Sequence, residues 1–213
     1  MRYAAYISGL GTRIKKALEL IDGLADKVKL IVSDDSESLK MKKFLEEKDI
    51  SYYLINYEKI EGNKEEKNLY LSNRIYELFE TYQIDYCFSF GKHLLKGKLL
   101  ECYQYKIINF HAGLLPMYPG INALDKMKKG TERYVGNTVN FIDEGIDTGP
   151  IIMQNVMLVE NFDLYGYDAV LDEQITLLKK LDMLLFENRI HVVDGKCIVD
   201  GADYRISNIY PDV

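Results

Sequence analysis

An amide and an imidazole flank one aromatic residue in Asn109-Phe110-His111, and a carboxylate follows later in Asp147-Thr148-Gly149-Pro150. Those three side-chain types are what is needed to move an acyl group onto an amine without a covalent intermediate. An amide N–H and an imidazolium can together steady the oxyanion of a tetrahedral intermediate. A buried carboxylate beside the imidazole favours its protonated form. In an extended strand Asn109 and His111 point to the same face. Lys106-Ile107-Ile108 supplies that strand, and Pro116 and Gly120 turn the chain into a loop. Open α/β sheets place their chemistry at such strand ends. The plain alternative is a polar strand end with a solvated or loop-capping histidine, because motifs this short recur by chance. No nucleophile stands out: Ser8 and Ser89 lie near the ends of apolar strands, outside any Gly-x-Ser-x-Gly elbow.

Two further stretches carry chemistry-bearing types. Ser8-Gly9-Leu10-Gly11-Thr12-Arg13 joins a strand to a helix, where free backbone N–H groups and the helix dipole suit a phosphate. Thr12 adds a hydroxyl and Arg13 a charged fork. Ile14 stands where a dinucleotide fingerprint has its last glycine, so this is neither that motif nor a P-loop. A tight turn with Thr12 as helix cap reads the same residues without a ligand. Asp143, Glu144 and Asp147 share a strand-connecting loop with Gly145 and Gly149. Their spacing is not that of a calcium loop, and no metal is expected.

The elements that must position these residues alternate along the chain. Strands are expected at Arg2 to Ser8, Lys27 to Ser33, Tyr52 to Ile55, Ile84 to Phe90 and through Ile107. Helices are expected from about Arg13 to Asp22, Ser36 to Lys48, Lys64 to Tyr82 and Lys96 to Tyr103. Leu69, Ile75, Leu78 and Phe79 should share the buried face of the third helix. This order predicts an α/β fold: a Rossmann-like open, mostly parallel sheet with helices on both faces. After Gly120 come a helix near Asn122 to Lys129 and two strands that can pair, Asn137 to Ile142 and Ile151 to Val159. A long helix from Leu164 to Glu187, breaking near Gly166, precedes a hairpin that turns at Asp194-Gly195.

The 213 residues fit one domain, 1–213, better than two. A hydrophobic fraction of 47% and a net charge of −6 without a basic cluster predict an ordinary globular protein that binds no nucleic acid. Cys87, Cys102 and Cys197 are too few and too scattered for a disulfide framework or a zinc site. With no signal peptide and no membrane-length apolar run, a cytoplasmic protein without a membrane partner is expected. Of the 17 tyrosines, Tyr103, Tyr105 and Tyr118 flank the candidate site and are read individually as packing residues.

The segments KIINFHAGLLPMYPGINAL and GNTVNFIDEGIDTGPIIMQ resemble the formyltransferase family, most closely its small glycinamide ribonucleotide branch. That family carries an Asn-x-His-Pro-Ser-Leu-Leu-Pro signature and a later Asp-x-Gly-Pro loop. The resemblance implies a formyl transfer from 10-formyltetrahydrofolate to a primary amine. Asn109 and His111 would polarise the formyl carbonyl, and Asp147 would hold the imidazolium and relay the amine's proton. Lys92, His93, Leu94 and Leu95, with Asp143 and Glu144, would contact the folate. Gly9, Gly11, Thr12, Arg13 and Glu173 would hold a phosphorylated small-molecule acceptor. A monomer or homodimer is implied.

The departures are specific. Ala112-Gly113 replaces Pro-Ser, Asn122 and Asn140 stand where histidines are usual, Arg13 replaces an asparagine, and Gln174 replaces a histidine. They bear on the acceptor, so an amine on a nucleotide-linked sugar remains the alternative, as does a folate- or nucleotide-binding relative without catalysis. A transfer-RNA formyltransferase is not expected without a basic C-terminal domain, nor a formyltetrahydrofolate hydrolase without an N-terminal regulatory one.

Overall fold

A computed structural model describes residues 1–205, apart from the side chains at positions 128, 161 and 162. The expected domain, 1–213, therefore includes residues 206–213, which lie outside the described residues. Seven strands form one sheet in the order β3-β2-β1-β4-β5-β6-β7. These are β1 (Tyr3–Ile7), β2 (Val28–Ser33), β3 (Ser51–Leu54), β4 (Tyr86–Phe90), β5 (Ile107–His111), β6 (Tyr134–Phe141) and β7 (Ile151–Leu158). The first five are parallel, and β6 and β7 extend the sheet antiparallel from β5. The predicted class, an open and mostly parallel sheet, is the one observed. Every residue of β1 is buried because helices cover both faces.

One face packs Tyr3, Ala5, Ile7, Phe88, Ile108 and Phe110 against α1 (Thr12–Leu20) and α7 (Val159–Phe186). The other packs Ala4, Tyr6, Leu30, Val32, Cys87 and Ile107 against α4 (Lys64–Tyr82) and α5 (Lys98–Cys102). Cys87 is a fully buried core residue whose thiol is pushed up by that burial, which makes it no nucleophile.

Helix α4 starts and ends where the sequence predicts. Asn63 and Glu66 close a reciprocal capping box at its start, and Gln83 ends it in the left-handed region. Its buried face differs from expectation. Leu69 is exposed, while Asn68 and Ser72 are buried with Leu71, Ile75, Leu78 and Phe79. The two polar residues are satisfied there: Tyr57 donates to Asn68, and Ser72 Oγ bonds the Asn68 carbonyl and accepts from Lys96 N–H. Two short helices, α2 (Leu24–Lys27) and α3 (Lys42–Glu46), complete the crossovers, the latter preceded by a 3₁₀ turn at Ser36–Met41.

Beyond β5 lies α6 (Ala123–Lys129), then the β6–β7 pair. Gly166, at φ 68°, breaks α7 where a break was expected. The closing hairpin, β8 (Ile190–Val193) and β9 (Lys196–Val199), turns at Asp194 and Gly195, both with positive φ. Among the described residues no helix is long and apolar enough to cross a membrane.

Candidate functional site

A cavity of about 560 Å³ opens at the carboxyl ends of β1, β4 and β5. In the strand order, β1 and β4 are the neighbours where the direction of winding reverses, the usual ligand crevice of such sheets. Asn109 and His111 sit at the end of β5 and line it together with Asp147 from the β6–β7 connection. Asp147 takes φ 55°, a left-handed conformation that turns its carboxylate back toward β5.

The three side chains meet. Asp147 Oδ2 lies 3.3 Å from His111 Nδ1, and its Oδ1 accepts from Asn109 Nδ2 at 3.1 Å. Oδ2 also accepts the Gly120 N–H at 2.7 Å. The other imidazole nitrogen, Nε2, lies 3.1 Å from the Tyr118 carbonyl oxygen. Both ring nitrogens thus face oxygen atoms. Asn109 Nδ2 also reaches Asn140 Oδ1 at 3.3 Å, across the β5–β6 register that pairs these two asparagines. Both hydrogens of the Asn109 amide are therefore engaged, the Asn140 bond being the longer.

The loop after β5 is stitched to the sheet by side chains that sequence reading did not single out. Thr138 Oγ1 donates to the Gly113 carbonyl and accepts from Leu115 N–H, while Gln154 Nε2 donates to Leu115 O and Thr138 Oγ1. Gly113 lies against the imidazole: a Cβ there would stand 2.7 Å from His111 Nε2. Tyr118 approaches the ring through its backbone, and its hydroxyl bonds Glu132. Tyr103 packs on Phe79 beneath the other sheet face, and Tyr105 packs on Phe141.

Lys92, His93, Leu94 and Leu95 line the opposite wall, with Asp143 and Ile146 across from them. Behind that wall is a buried carboxylate, Asp34, at the end of β2. Its Oδ2 accepts from Tyr6 OH at 2.5 Å and from Ser8 Oγ at 2.8 Å, and Ser8 Oγ in turn accepts Lys92 N–H. His93 stacks on Tyr57 and holds Nε2 3.8 Å from Asp34 Oδ2. Burial pushes the Asp34 carboxyl above its ordinary value and the His93 imidazolium below its own. The Tyr6 phenol is raised by burial and by the neighbouring Asp34 charge. The signal for Asp34 was a carboxylate directly after the wholly apolar run Leu30-Ile31-Val32 and Ser33.

The other predicted residues divide. Arg13 lines the cavity, with its guanidinium over the Phe90 ring, 5.2 Å from the centroid. Gly9, Gly11, Thr12, Glu144 and Glu173 do not line it. Gly9 and Gly11 both take φ 67°, and Gly11 rather than Thr12 caps α1, with no side-chain bond to the helix end. Glu173 Oε2 accepts from Asn155 Nδ2 at 3.3 Å. In the acidic loop Asp143 Oδ1 is spent on Gly145 N–H and Thr148 Oγ1, closing a turn. Among the described residues no three His, Cys, Asp or Glu gather as a metal site.

Residues 1–165 match the sequence profile of the family described as Formyl transferase. The chain is 43% identical over 70 residues to phosphoribosylglycinamide formyltransferase of Bacillus subtilis, covering 33% of this chain and 36% of that protein. It is 26% identical over 202 residues to methionyl-tRNA formyltransferase of Caldicellulosiruptor saccharolyticus, 91% of this chain and 56% of that one. The chain thus spans about a third to somewhat over half of the length of these curated relatives. Its fold is shared with glycinamide ribonucleotide transformylase 1 of Symbiobacterium toebii, at a TM-score of 0.78, 22% identity and 93% coverage of both chains.

Proposed function

Because the chain belongs to the formyl transferase family, we propose that it moves a formyl group from 10-formyltetrahydrofolate to a primary amine, with glycinamide ribonucleotide as the acceptor. One observation carries this reading: Asn109, His111 and Asp147 converge on one wall of a cavity at the sheet's switch point. Leu94 and Leu95 on one side of the cavity and Ile146 across from them offer the mixed apolar and polar surface that a flat heteroaromatic donor needs. The acceptor's amine enters from the Arg13 side.

The chemistry uses each group once. The amine nitrogen attacks the formyl carbon, forming a C–N bond and driving the carbonyl electron pair onto oxygen. His111 Nε2–H and the Asn109 amide N–H donate to that oxygen, which takes the places now held by the Tyr118 carbonyl and Asn140 Oδ1. Asp147 accepts a proton from the new ammonium nitrogen and passes it to the donor nitrogen as the old C–N bond breaks. No nucleophile of the protein is consumed.

The test is consumption of 10-formyltetrahydrofolate against a panel of amines that includes glycinamide ribonucleotide and amino-sugar nucleotides. Acceptor-dependent consumption is expected, fastest with glycinamide ribonucleotide, and His111→Ala should slow it at least about a hundredfold. Donor consumption that ignores every amine would overturn the proposal; preference for a sugar nucleotide would move the acceptor assignment alone.

A further inference from the structure

Arg13 differs from other cations of this face. Lys16 pairs with Asp172 and Lys92 with Asp35, yet no described carboxylate lies within ion-pair distance of the Arg13 guanidinium. Burial pushes this group's pKa down, so its charge is held at a cost. What holds it is neutral: Arg13 NH1 donates to Gln174 Oε1 at 3.2 Å, on α7. Gln174 is itself only 2% exposed.

The amide has a fixed direction. Gln174 Nε2 donates to Asn137 Oδ1 at 2.9 Å, and Asn137 Nδ2 donates to Asn155 Oδ1 at 3.0 Å. Asn155 Oδ1 also receives Asn137 N–H, which turns its Nδ2 toward Glu173 Oε2. The series begins at a carboxylate, which only accepts, and ends at a guanidinium, which only donates. Turning any one of the three amides sets donor against donor. The series therefore has one orientation, with the Gln174 oxygen toward Arg13.

We propose that Glu173, Asn155, Asn137 and Gln174 are a positioning relay that aims Arg13 into the cavity with its charge uncompensated, so that the acceptor itself must supply an anion there. This rests on the reading of Arg13 as the acceptor's side of the site. It gives Glu173 a task, although Glu173 does not line the cavity: it anchors the far end of the relay. It also explains why a neutral amide is used. A carboxylate at position 174 would satisfy Arg13 internally, and a protonated imidazole would repel it.

The test has two arms on the full chain. In the first, inorganic phosphate is titrated calorimetrically into wild type, Arg13→Ala, Gln174→Met and the double variant. Each single variant should bind phosphate about tenfold more weakly, and the double variant no worse than either single one, because both remove one coupled interaction. In the second, rates with glycinamide ribonucleotide and 10-formyltetrahydrofolate should show the acceptor KM raised about tenfold in Gln174→Met, with kcat and donor KM little changed. Gln174→Glu, which preserves shape but neutralises Arg13, should lose phosphate binding as well. Wild-type indifference to phosphate, full binding by Gln174→Met or Gln174→Glu, or additive losses in the double variant would each overturn the relay. If wild type binds phosphate but never consumes the donor, the formyl-transfer reading fails and the relay stands.

Discussion

Replacing Asp147 by asparagine changes one atom, and the geometry says why that should matter. All three of its polar contacts bring hydrogens: Gly120 N–H at 2.7 Å and His111 Nδ1 at 3.3 Å on Oδ2, and Asn109 Nδ2 at 3.1 Å on Oδ1. An asparagine must put its NH2 at one of these two places, and either sets donor against donor. A lost hydrogen bond to a charged group is worth about 1.5–3 kcal/mol. At about 1.4 kcal/mol per decade, that alone slows the reaction by roughly ten- to 150-fold. Loss of the charge beside the imidazole adds to it, so kcat should fall at least about a hundredfold. Folding should survive, because asparagine accepts the left-handed φ of 55° found here as well as aspartate does. Initial rates of donor consumption with glycinamide ribonucleotide, paired with a thermal melt, provide the assay. A properly melting Asp147→Asn protein whose kcat stays within about threefold of wild type would refute the role given to the carboxylate.

Gly113→Ala should push the catalytic ring aside, since the new Cβ would stand 2.7 Å from His111 Nε2 and 3.0 Å from the Ala123 Cβ. A drop in kcat of about tenfold is expected, as for a misaligned catalytic group, and an unchanged kcat would show that the ring has room. Asp34→Asn probes the buried carboxylate. Its raised pKa means that the folded state keeps a proton the unfolded chain has lost, so its stabilising contribution is complete below the ordinary carboxylate value and fades as pH climbs through the raised one. Asparagine escapes that loss while still accepting from Tyr6 and Ser8. The melting-temperature difference should therefore shift in the variant's favour as pH rises above the ordinary carboxylate value of about 4; a difference independent of pH contradicts the cause assigned to the shift.

Local patterns made much of the molecule legible. The alternation of apolar runs with helical spacing was enough for the parallel sheet, and Asp194-Gly195 for the hairpin turn. Asn109 and His111 could be placed on one face because a strand's period is two, and that needs no knowledge of the rest of the chain. What escaped depends on partners distant in sequence. Asn68 and Ser72 look like surface residues of a helix until Tyr57 and Lys96 arrive to bond them. Asp34 gains its meaning from Tyr6 and Ser8, which reach it from β1 and the turn that follows it. The family resemblance points to Glu173 as a substrate contact, yet its neighbour Gln174 is the residue that touches Arg13, from 161 positions away. Hydropathy sees each of these side chains as polar and cannot say that it is already satisfied indoors.

The catalytic group is also divided between two kinds of scaffold. Asn109 and His111 ride on β5, which is laced to a neighbouring strand on each side, so they leave their posts only when the sheet itself comes apart. Asp147 hangs from a short connection, tethered by a few bonds that can open singly. Warming should accordingly disarm this protein before it melts it, and the first casualty should be the carboxylate rather than the ring.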